Sequence, residues 1–179
     1  GGESHIYHIE NAAGAYIDVS QYGAIPVNVC VPDKDGRLTD VALGYDDLES
    51  SFVNGCFFGA CIGRSGNRIA DSNFILDGTE IKPTPNEGKN NLHSGPDGFE
   101  KKLWNASAVE GQNAVTFSRI SPDGENGYPG EFEVSVNSEL TEEHAVRIVS
   151  SGVSAKTTVA KLTQHYHFHT KEQGNGTAM

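Results

Sequence analysis

The chain has 179 residues, enough for one domain with its own hydrophobic core. Its 13 Lys and Arg stand against 24 Asp and Glu, and the formal net charge of −11 repels phosphate backbones, which excludes nucleic acid as a partner. No apolar run approaches the length of a membrane span, which argues against a membrane partner. The three cysteines form an odd set without Cys-x-x-Cys spacing, which predicts reduced thiols and a cytoplasmic location.

Short strands separated by turn residues are predicted in the first part of the chain. β-Branched and alternating runs bounded by Gly, Pro and Asp are typical of such strands. Asp46 and Asp47 are suited to cap a short helix that continues to about Val53 and ends at Asn54. The predicted strands of this part are residues 6–9, 15–20, 25–31 and 39–43.

The second part of the chain shows a clear antiparallel pattern. Phe132, Val134 and Val136 alternate with polar residues, which predicts a strand with one buried face. The predicted strands are residues 104–110, 114–120, 131–136, 145–149 and 157–170. Because no helix of ordinary length is predicted, the expected fold is an all-β antiparallel sandwich, formed by residues 1–179 as a single domain.

The segment from Gly63 to Gly95 combines a predicted hairpin with candidate binding residues. Residues 73–76 and 79–81 flank the turn Asp77-Gly78, a strong hairpin signal. Arg68 and His93, 25 residues apart, lie at the two ends of this unit, and hairpin geometry could return them to the same rim. A guanidinium, an imidazole and the amide of Asn67 are suited to bind a polyhydroxylated ligand.

Several short motifs in this order are similar to those of a known family. They are Gly63-Arg64-Ser65-Gly66-Asn67-Arg68-Ile69-Ala70, Asn90-Asn91-Leu92-His93-Ser94-Gly95, Gly98-Phe99-Glu100-Lys101 and Asp123-Gly124-Glu125-Asn126-Gly127-Tyr128-Pro129-Gly130. From about Ile9 onward the chain resembles the aldose 1-epimerase (galactose mutarotase) family, with Ser94 in place of a family glycine. Family members are about twice this long, so the resemblance implies a galactose mutarotase-like β-supersandwich truncated to its N-terminal half.

The resemblance also implies site residues and an activity. His165 matches the family's catalytic histidine and would protonate the ring oxygen of galactose or glucose, so that the α and β anomers interconvert. His93 is the second catalytic candidate, Arg68, Asn67 and His93 are the substrate-binding candidates, and no cofactor is required. The family's general base is a Glu in the later half, and this chain alone is therefore expected to be impaired or inactive. The in-chain candidates are predicted to be solvated loop charges: Glu80, Glu87, Glu100 and Glu125.

The residues around His165 depart from the family pattern. Tyr166, His167 and His169 stand where Ser, Tyr and Asn are usual. In a strand, His165, His167 and His169 would share one face and could bind zinc or nickel, with Glu3, His5 and His8 completing the site through tertiary contact. The alternative is a polar strand face without a metal.

Truncation of a large sandwich would leave strand edges unpaired and apolar faces uncovered. The face formed by Phe132, Val134 and Val136 would then need a covering layer, which predicts a homodimer. Three serines oppose association if they compensate for a lost partner, although they could equally reflect sequence drift: Ser138, Ser150 and Ser151. The alternative to a sugar-binding epimerase is a non-catalytic half-domain, for example an engineered one, that self-associates or binds a metal.

Overall fold

A computed structural model describes residues 3–45 and 48–169. Antiparallel strands predominate in these residues, and their only α-helix is the six-residue α1 (Leu48–Val53), so the all-β prediction is confirmed. The predicted caps of this helix, Asp46 and Asp47, lie outside the described residues. No helix within the described ranges is long and apolar enough to cross a membrane.

The strands agree with the predicted ones within a few residues in most places. They are β1 (Ile6–Glu10), β2 (Tyr16–Ser20), β3 (Ile25–Pro32), β4 (Leu38–Asp40), β5 (Ala60–Ile62), β6 (Arg68–Ile69), β7 (Phe74–Leu76), β8 (Thr79–Ile81), β9 (Asn91–Leu92), β10 (Asn105–Ala108), β11 (Ala114–Ser121), β12 (Phe132–Leu140), β13 (Val146–Ser154) and β14 (Thr163–His165).

Strands β1 to β4 form a four-stranded antiparallel sheet in chain order. Ile17 and Val19 of β2 are fully buried while the residues between them are half-buried, as period-two alternation requires. The fourth strand ends at Asp40, three residues before the predicted end. Asp40 Oδ1 accepts hydrogen bonds from the backbone N–H groups of Val29 and Ala42, both at 3.0 Å. This side chain takes the place of a backbone carbonyl in the strand pairing, and the strand ends there.

Strands β10 to β13 form a second four-stranded antiparallel sheet, and the two sheets pack face to face. Phe132, Val134 and Val136 of β12 are at most 3% exposed and belong to the same core cluster as Ile9 and Ile17 of the first sheet. The expectation that this face would need a layer from outside the chain is therefore wrong, because the first sheet covers it.

The last strand of the second sheet, β13, is an edge strand that is exposed along most of its length. Val149 and Val153 are 49% and 71% exposed. Ser150 and Ser151 are exposed as well, whereas Ser138 on β12 is buried and its hydroxyl has no hydrogen-bond partner in residues 3–45 and 48–169. Only two of the three serines thus lie where they could change the solubility of an open surface.

Three two-stranded ribbons lie beside the sandwich: β7 with β8, β6 with β9 and β5 with β14. Asp77 and Gly78 both have positive φ, +49° and +78°, as a tight two-residue hairpin turn requires, so the predicted β7–β8 hairpin is confirmed. The long strand predicted for residues 157–170 is wrong, because only Thr163–His165 pair as a strand. Beyond it, Phe168 makes only an isolated bridge to Ala42.

Candidate functional site

The ribbon of β6 and β9 brings Asn67, Arg68 and His93 to one place. Arg68 is paired with Leu92, the residue before His93. The backbone N–H of Asn67 donates to His93 Nδ1 at 3.0 Å, and the backbone N–H of His93 donates to the carbonyl of Asn67 at 3.1 Å. Because Nδ1 accepts a hydrogen bond, the neutral His93 ring carries its proton on Nε2, which leaves an N–H donor for a ligand.

The ribbon of β5 and β14 adds His165 to the same place. His165 is paired with Ala60, and its ring centroid lies 5.2 Å from that of His93. Both imidazoles line an open cavity of about 500 Å³ together with Asn67 and Arg68. This volume is within the ~300–1,000 Å³ typical of small-molecule sites. The structure therefore gathers all four residues that the sequence nominated for sugar binding and catalysis.

Arg68 is held at the cavity rim by an ion pair with Glu87. Its Nε and Nη2 donate to the two carboxylate oxygens of Glu87 at 2.6 and 2.5 Å, and Nη1 makes no hydrogen bond to any residue the structure describes, so it can bind a ligand. The guanidinium lowers the pKa of Glu87, so this carboxylate stays ionised. Glu87 is a half-buried loop charge, and it holds the guanidinium in a defined orientation.

The electrostatic environment keeps His93 neutral. Burial is the largest effect that lowers the pKa of His93, and positive charge on His165 and Arg68 lowers it further, while Glu87 partly opposes them. A neutral ring with Nδ1 already occupied can donate only through Nε2. His93 is therefore suited to donate a hydrogen bond to a sugar oxygen.

An aromatic side chain that the sequence reading did not nominate covers the two imidazoles. The ring centroid of Phe57 lies 4.8 Å from that of His93 and 5.9 Å from that of His165. Phe57 has φ of +56°, a conformation that non-glycine residues rarely adopt. The available sequence signal is the aromatic pair Phe57-Phe58 before Gly59.

The loop that carries Asn67 and Arg68 is anchored by two polar residues with buried side chains. Arg64 is 1% exposed, and its guanidinium makes five hydrogen bonds to uncharged oxygens, among them Ser121 Oγ at 2.9 Å. Ser94 accepts the backbone N–H of Ser65 at 2.6 Å and donates to its carbonyl at 3.2 Å. These bonds explain how a serine with φ of +74° replaces the family's glycine.

Of the four glutamates predicted to be solvated, Glu100 is buried and Glu125 is half-buried. Glu100 is 3% exposed, and neither carboxylate oxygen has a hydrogen-bond partner among the described residues. Burial raises its pKa to about 7. Glu125 forms a two-pronged ion pair with Arg119 at 3.0 and 2.8 Å, and also accepts the hydroxyl of Ser121. The prediction is correct for the exposed Glu80, holds in part for the half-buried Glu87 and is wrong for Glu100 and Glu125, because covering elements distant in sequence decide burial.

The three-histidine metal set is not assembled. The rings of His165 and His167 are neighbours, with centroids 4.9 Å apart, while His169 is buried. In residues 3–45 and 48–169, no three His, Cys, Asp or Glu side chains form a group that could hold a metal ion. His8, which was to complete the site, instead contacts Asp18 at 2.7 Å.

A second, more enclosed pocket of about 290 Å³ lies away from these residues. Among its lining residues are Tyr22, Tyr45, Phe52 and Phe58, and it contains no charged side chain from the described residues. Without a group that exchanges protons near neutral pH, it cannot perform acid–base chemistry. The cavity beside His93 and His165 is therefore the candidate site.

Comparisons with known proteins show which family this chain resembles. The family model described as aldose 1-epimerase matches residues 5–178. The chain is 42% identical to galactose mutarotase from Bos taurus over 159 residues, which are 89% of this chain and 46% of that protein. It is 36% identical to aldose 1-epimerase from Haemophilus influenzae over 98% of this chain and 51% of that protein.

A solved structure shows the same fold. A GalM/aldose epimerase homologue from C. elegans superposes with a TM-score of 0.87 at 26% identity, over 93% of this chain and 51% of that one. The chain thus spans about half the length of the curated relatives it matches. The matched family model, the relatives and the galactose mutarotase-like sandwich lead to one conclusion: this chain belongs to the aldose 1-epimerase family.

Proposed function

We propose that this chain binds a hexose such as galactose or glucose and supplies the acid side of an aldose 1-epimerase site. The observation that carries the proposal is the contact between His165 and His93, whose ring centroids lie 5.2 Å apart in a cavity shared with Arg68. The names of the relatives, galactose mutarotase and aldose 1-epimerase, support the reaction and the sugar class.

The reaction interconverts anomers through an open-chain form. An acid protonates the ring oxygen while a base removes the proton of the anomeric hydroxyl, so that the bond between C1 and the ring oxygen breaks and C1 becomes an aldehyde. The C1–C2 bond then rotates, and the freed hydroxyl closes the ring on the other face of the aldehyde. His165 is assigned as the acid, because an imidazole exchanges protons near neutral pH. His93 Nε2–H and Arg68 Nη1 are assigned to hold sugar oxygens, since their other polar atoms are engaged by Asn67 and Glu87.

The lack of a general base in the described cavity is expected to limit the rate of mutarotation by this chain. No carboxylate of the described residues lines the cavity, and Glu87 is committed to Arg68. A positioned acid or base contributes ~10²–10⁴-fold to the rate, so binding is expected without full catalysis. We expect the isolated chain to equilibrate α-galactose only slowly.

Sugar binding and mutarotation, measured separately, test the proposal. Calorimetry should detect galactose or glucose binding that Arg68→Met weakens, while His8→Ala, which changes an exposed imidazole of the first sheet, serves as the matched control. Polarimetry should show weak acceleration that His165→Ala removes. If no hexose binds, the proposed sugar-binding function is refuted. If the chain catalyses rapid mutarotation that His165→Ala abolishes, the expected loss of activity is refuted and an additional base must exist.

We also infer that the chain forms a homodimer through the edge strand β13. Its unpaired backbone groups, with Val149 and Val153 exposed, favour strand pairing with a second copy. The same observation favours a self-associating, non-catalytic module as the second candidate function. Light scattering at micromolar protein should give about twice the 19.1 kDa of one chain, and a strict monomer across a concentration series would refute the dimer.

A cytoplasmic location also remains a prediction. Cys30, Cys56 and Cys61 are all free thiols in the structure, which suits a reducing compartment. Fractionation of the source cells would test it, and recovery of the chain outside the cytoplasm would contradict it.

A further inference from the structure

The side chain of one cation at the candidate site has no partner in the part of the chain that the structure describes. The other described lysines each donate to a carboxylate or a backbone carbonyl. Those lysines are Lys34, Lys82, Lys89, Lys101, Lys102 and Lys156. Lys161 is exposed and has no ion pair or side-chain hydrogen bond among the residues described, although the chain carries 24 acidic side chains. It lines the cavity that contains Arg68, His93 and His165.

The backbone of Lys161 is fixed relative to the site. Its N–H donates to the carbonyl of Arg64 at 2.7 Å, and its carbonyl accepts the N–H of Gly66 at 2.8 Å. Ser65 and Lys161 form a parallel bridge. The base of this side chain is therefore attached to the loop that carries Asn67 and Arg68, and only the flexible stem moves.

The charge of the cavity is opposite in sign to that of the whole chain. The described lining residues include two permanent cations, Arg68 and Lys161, and two imidazoles, but no carboxylate. Glu87 neutralises one of the cations by pairing with Arg68. One positive charge is left uncompensated in a chain whose formal net charge is −11. An unpaired cation at a cavity that is otherwise suited to a sugar is a binding group for an anion.

We propose that the site prefers a hexose that carries an acidic group on C6, and that Lys161 is the residue that selects it. The inference rests on the proposed sugar-binding function of the same cavity. C6 is attached to the ring carbon next to the ring oxygen, so an acid group there lies on the side of the sugar that His165 is assigned to protonate. Lys161 precedes His165 by four residues on the same cavity wall. A C6 carboxylate and a C6 phosphate monoester share the chemistry that Lys161 recognises.

Equilibrium binding to the full chain tests the inference. Calorimetric titrations would compare galactose, galacturonate and galactose 6-phosphate, so the experiment does not depend on turnover. The acidic hexoses should bind about fivefold more tightly than galactose, the effect of one ion pair of roughly 1 kcal/mol near a surface. Lys161→Gln should remove that preference and leave galactose affinity unchanged. Comparison of the two acids distinguishes a uronate from a phosphate as the preferred group.

A matched variant removes the same charge elsewhere. Lys34→Gln changes an exposed lysine of the turn between β3 and β4 that pairs with Asp35, and it should keep the full preference for acidic hexoses. Raising the salt concentration should weaken binding of the acidic hexoses and not that of galactose. Equal affinity for neutral and acidic hexoses, or a preference that survives Lys161→Gln, overturns the inference and leaves the proposed function standing. Absence of binding by all three sugars overturns the function as well.

Discussion

Arg64 and Arg68 lie four residues apart on one loop but in opposite environments. Arg64 is buried, and five uncharged oxygens from the turn at Ser121-Pro122, from Pro129 and from Thr158 accept its hydrogen bonds. The Arg68 side chain is 55% exposed and is held by the carboxylate of Glu87. An arginine in the buried interior beneath the loop and an arginine at the open rim therefore have different partners and different roles.

The difference shows how partners determine the role of a charged group. A buried guanidinium that satisfies backbone carbonyls holds distant turns together, and it cannot leave without exposing unpaired acceptors to an apolar interior. A rim guanidinium paired with an exposed carboxylate gains little stability from the pair, and it keeps donors free for a ligand. Arg64 is thus an anchor for the site, and Arg68 is part of its binding surface.

Removal of each arginine should separate the two roles, with the largest expected effect in the interior. Arg64→Met should lower the free energy of unfolding by about 3 kcal/mol or more, because buried carbonyls lose their donor. Arg68→Met should lower it by less than ~1 kcal/mol. Urea unfolding followed by circular dichroism measures both variants, and equal losses would contradict the distinction.

Interior and rim carboxylates should differ in the pH dependence of stability. Burial raises the pKa of Glu100 from its ordinary 4.5 to about 7, so the folded protein holds this proton more tightly than the unfolded chain. The resulting stabilisation is complete below pH 4.5 and is lost as the pH rises through 7. Between about pH 5 and pH 8 this loss should be on the order of 3 kcal/mol in the wild type, and Glu100→Gln should remove it.

The matched rim variant is Glu87→Gln. Arg68 lowers the pKa of Glu87, so this carboxylate stabilises the fold above its unfolded pKa, and that effect is lost only on acidification. Glu87→Gln should therefore leave the neutral-to-basic part of the stability profile unchanged. If Glu100→Gln also had no effect there, the buried, proton-binding assignment of Glu100 would be wrong.

A smaller effect is expected on the His93 imidazole at the rim. Burial and the positive charges of His165 and Arg68 lower the pKa of His93 below its ordinary 6.5, and Glu87 raises it. Arg68→Met should therefore raise this pKa, and Glu87→Gln should lower it further. NMR titration of the imidazole carbon protons measures both shifts, and shifts of the same sign would contradict the charge arrangement at the rim.

The smallest effect is expected from metal ions. His165 and His167 offer two neighbouring imidazoles without a third ligand in the described part of the chain, which is fewer than a tetrahedral zinc site uses. Zinc or nickel should therefore change the melting temperature little. A rise that His167→Ala abolishes would restore the metal-binding interpretation, because a ligand that binds only the folded state stabilises it.

Local sequence patterns were sufficient to predict that the chain folds as a β-sandwich. Period-two alternation predicted the β12 strand, and Asp77-Gly78 predicted the β7–β8 hairpin, because side-chain alternation and turn conformation depend on neighbouring residues. The motifs around Arg68, His93 and His165 also identified part of the cavity lining, but not Lys161. The strand predicted for residues 157–170 was too long, because a local pattern does not show where a partner strand pairs, and only Thr163–His165 pair with β5.

Tertiary structure alone decided how those residues meet and which charges are buried. His165 reaches His93 because β14 pairs with β5 and β6 pairs with β9, and neither pairing leaves a local mark in the sequence. Arg64 and Glu100 look like loop charges in the sequence, yet both are buried under elements distant along the chain. Burial, and with it the pKa and the hydrogen-bond partners of a charged group, depends on what packs over it, and that is a property of the whole fold.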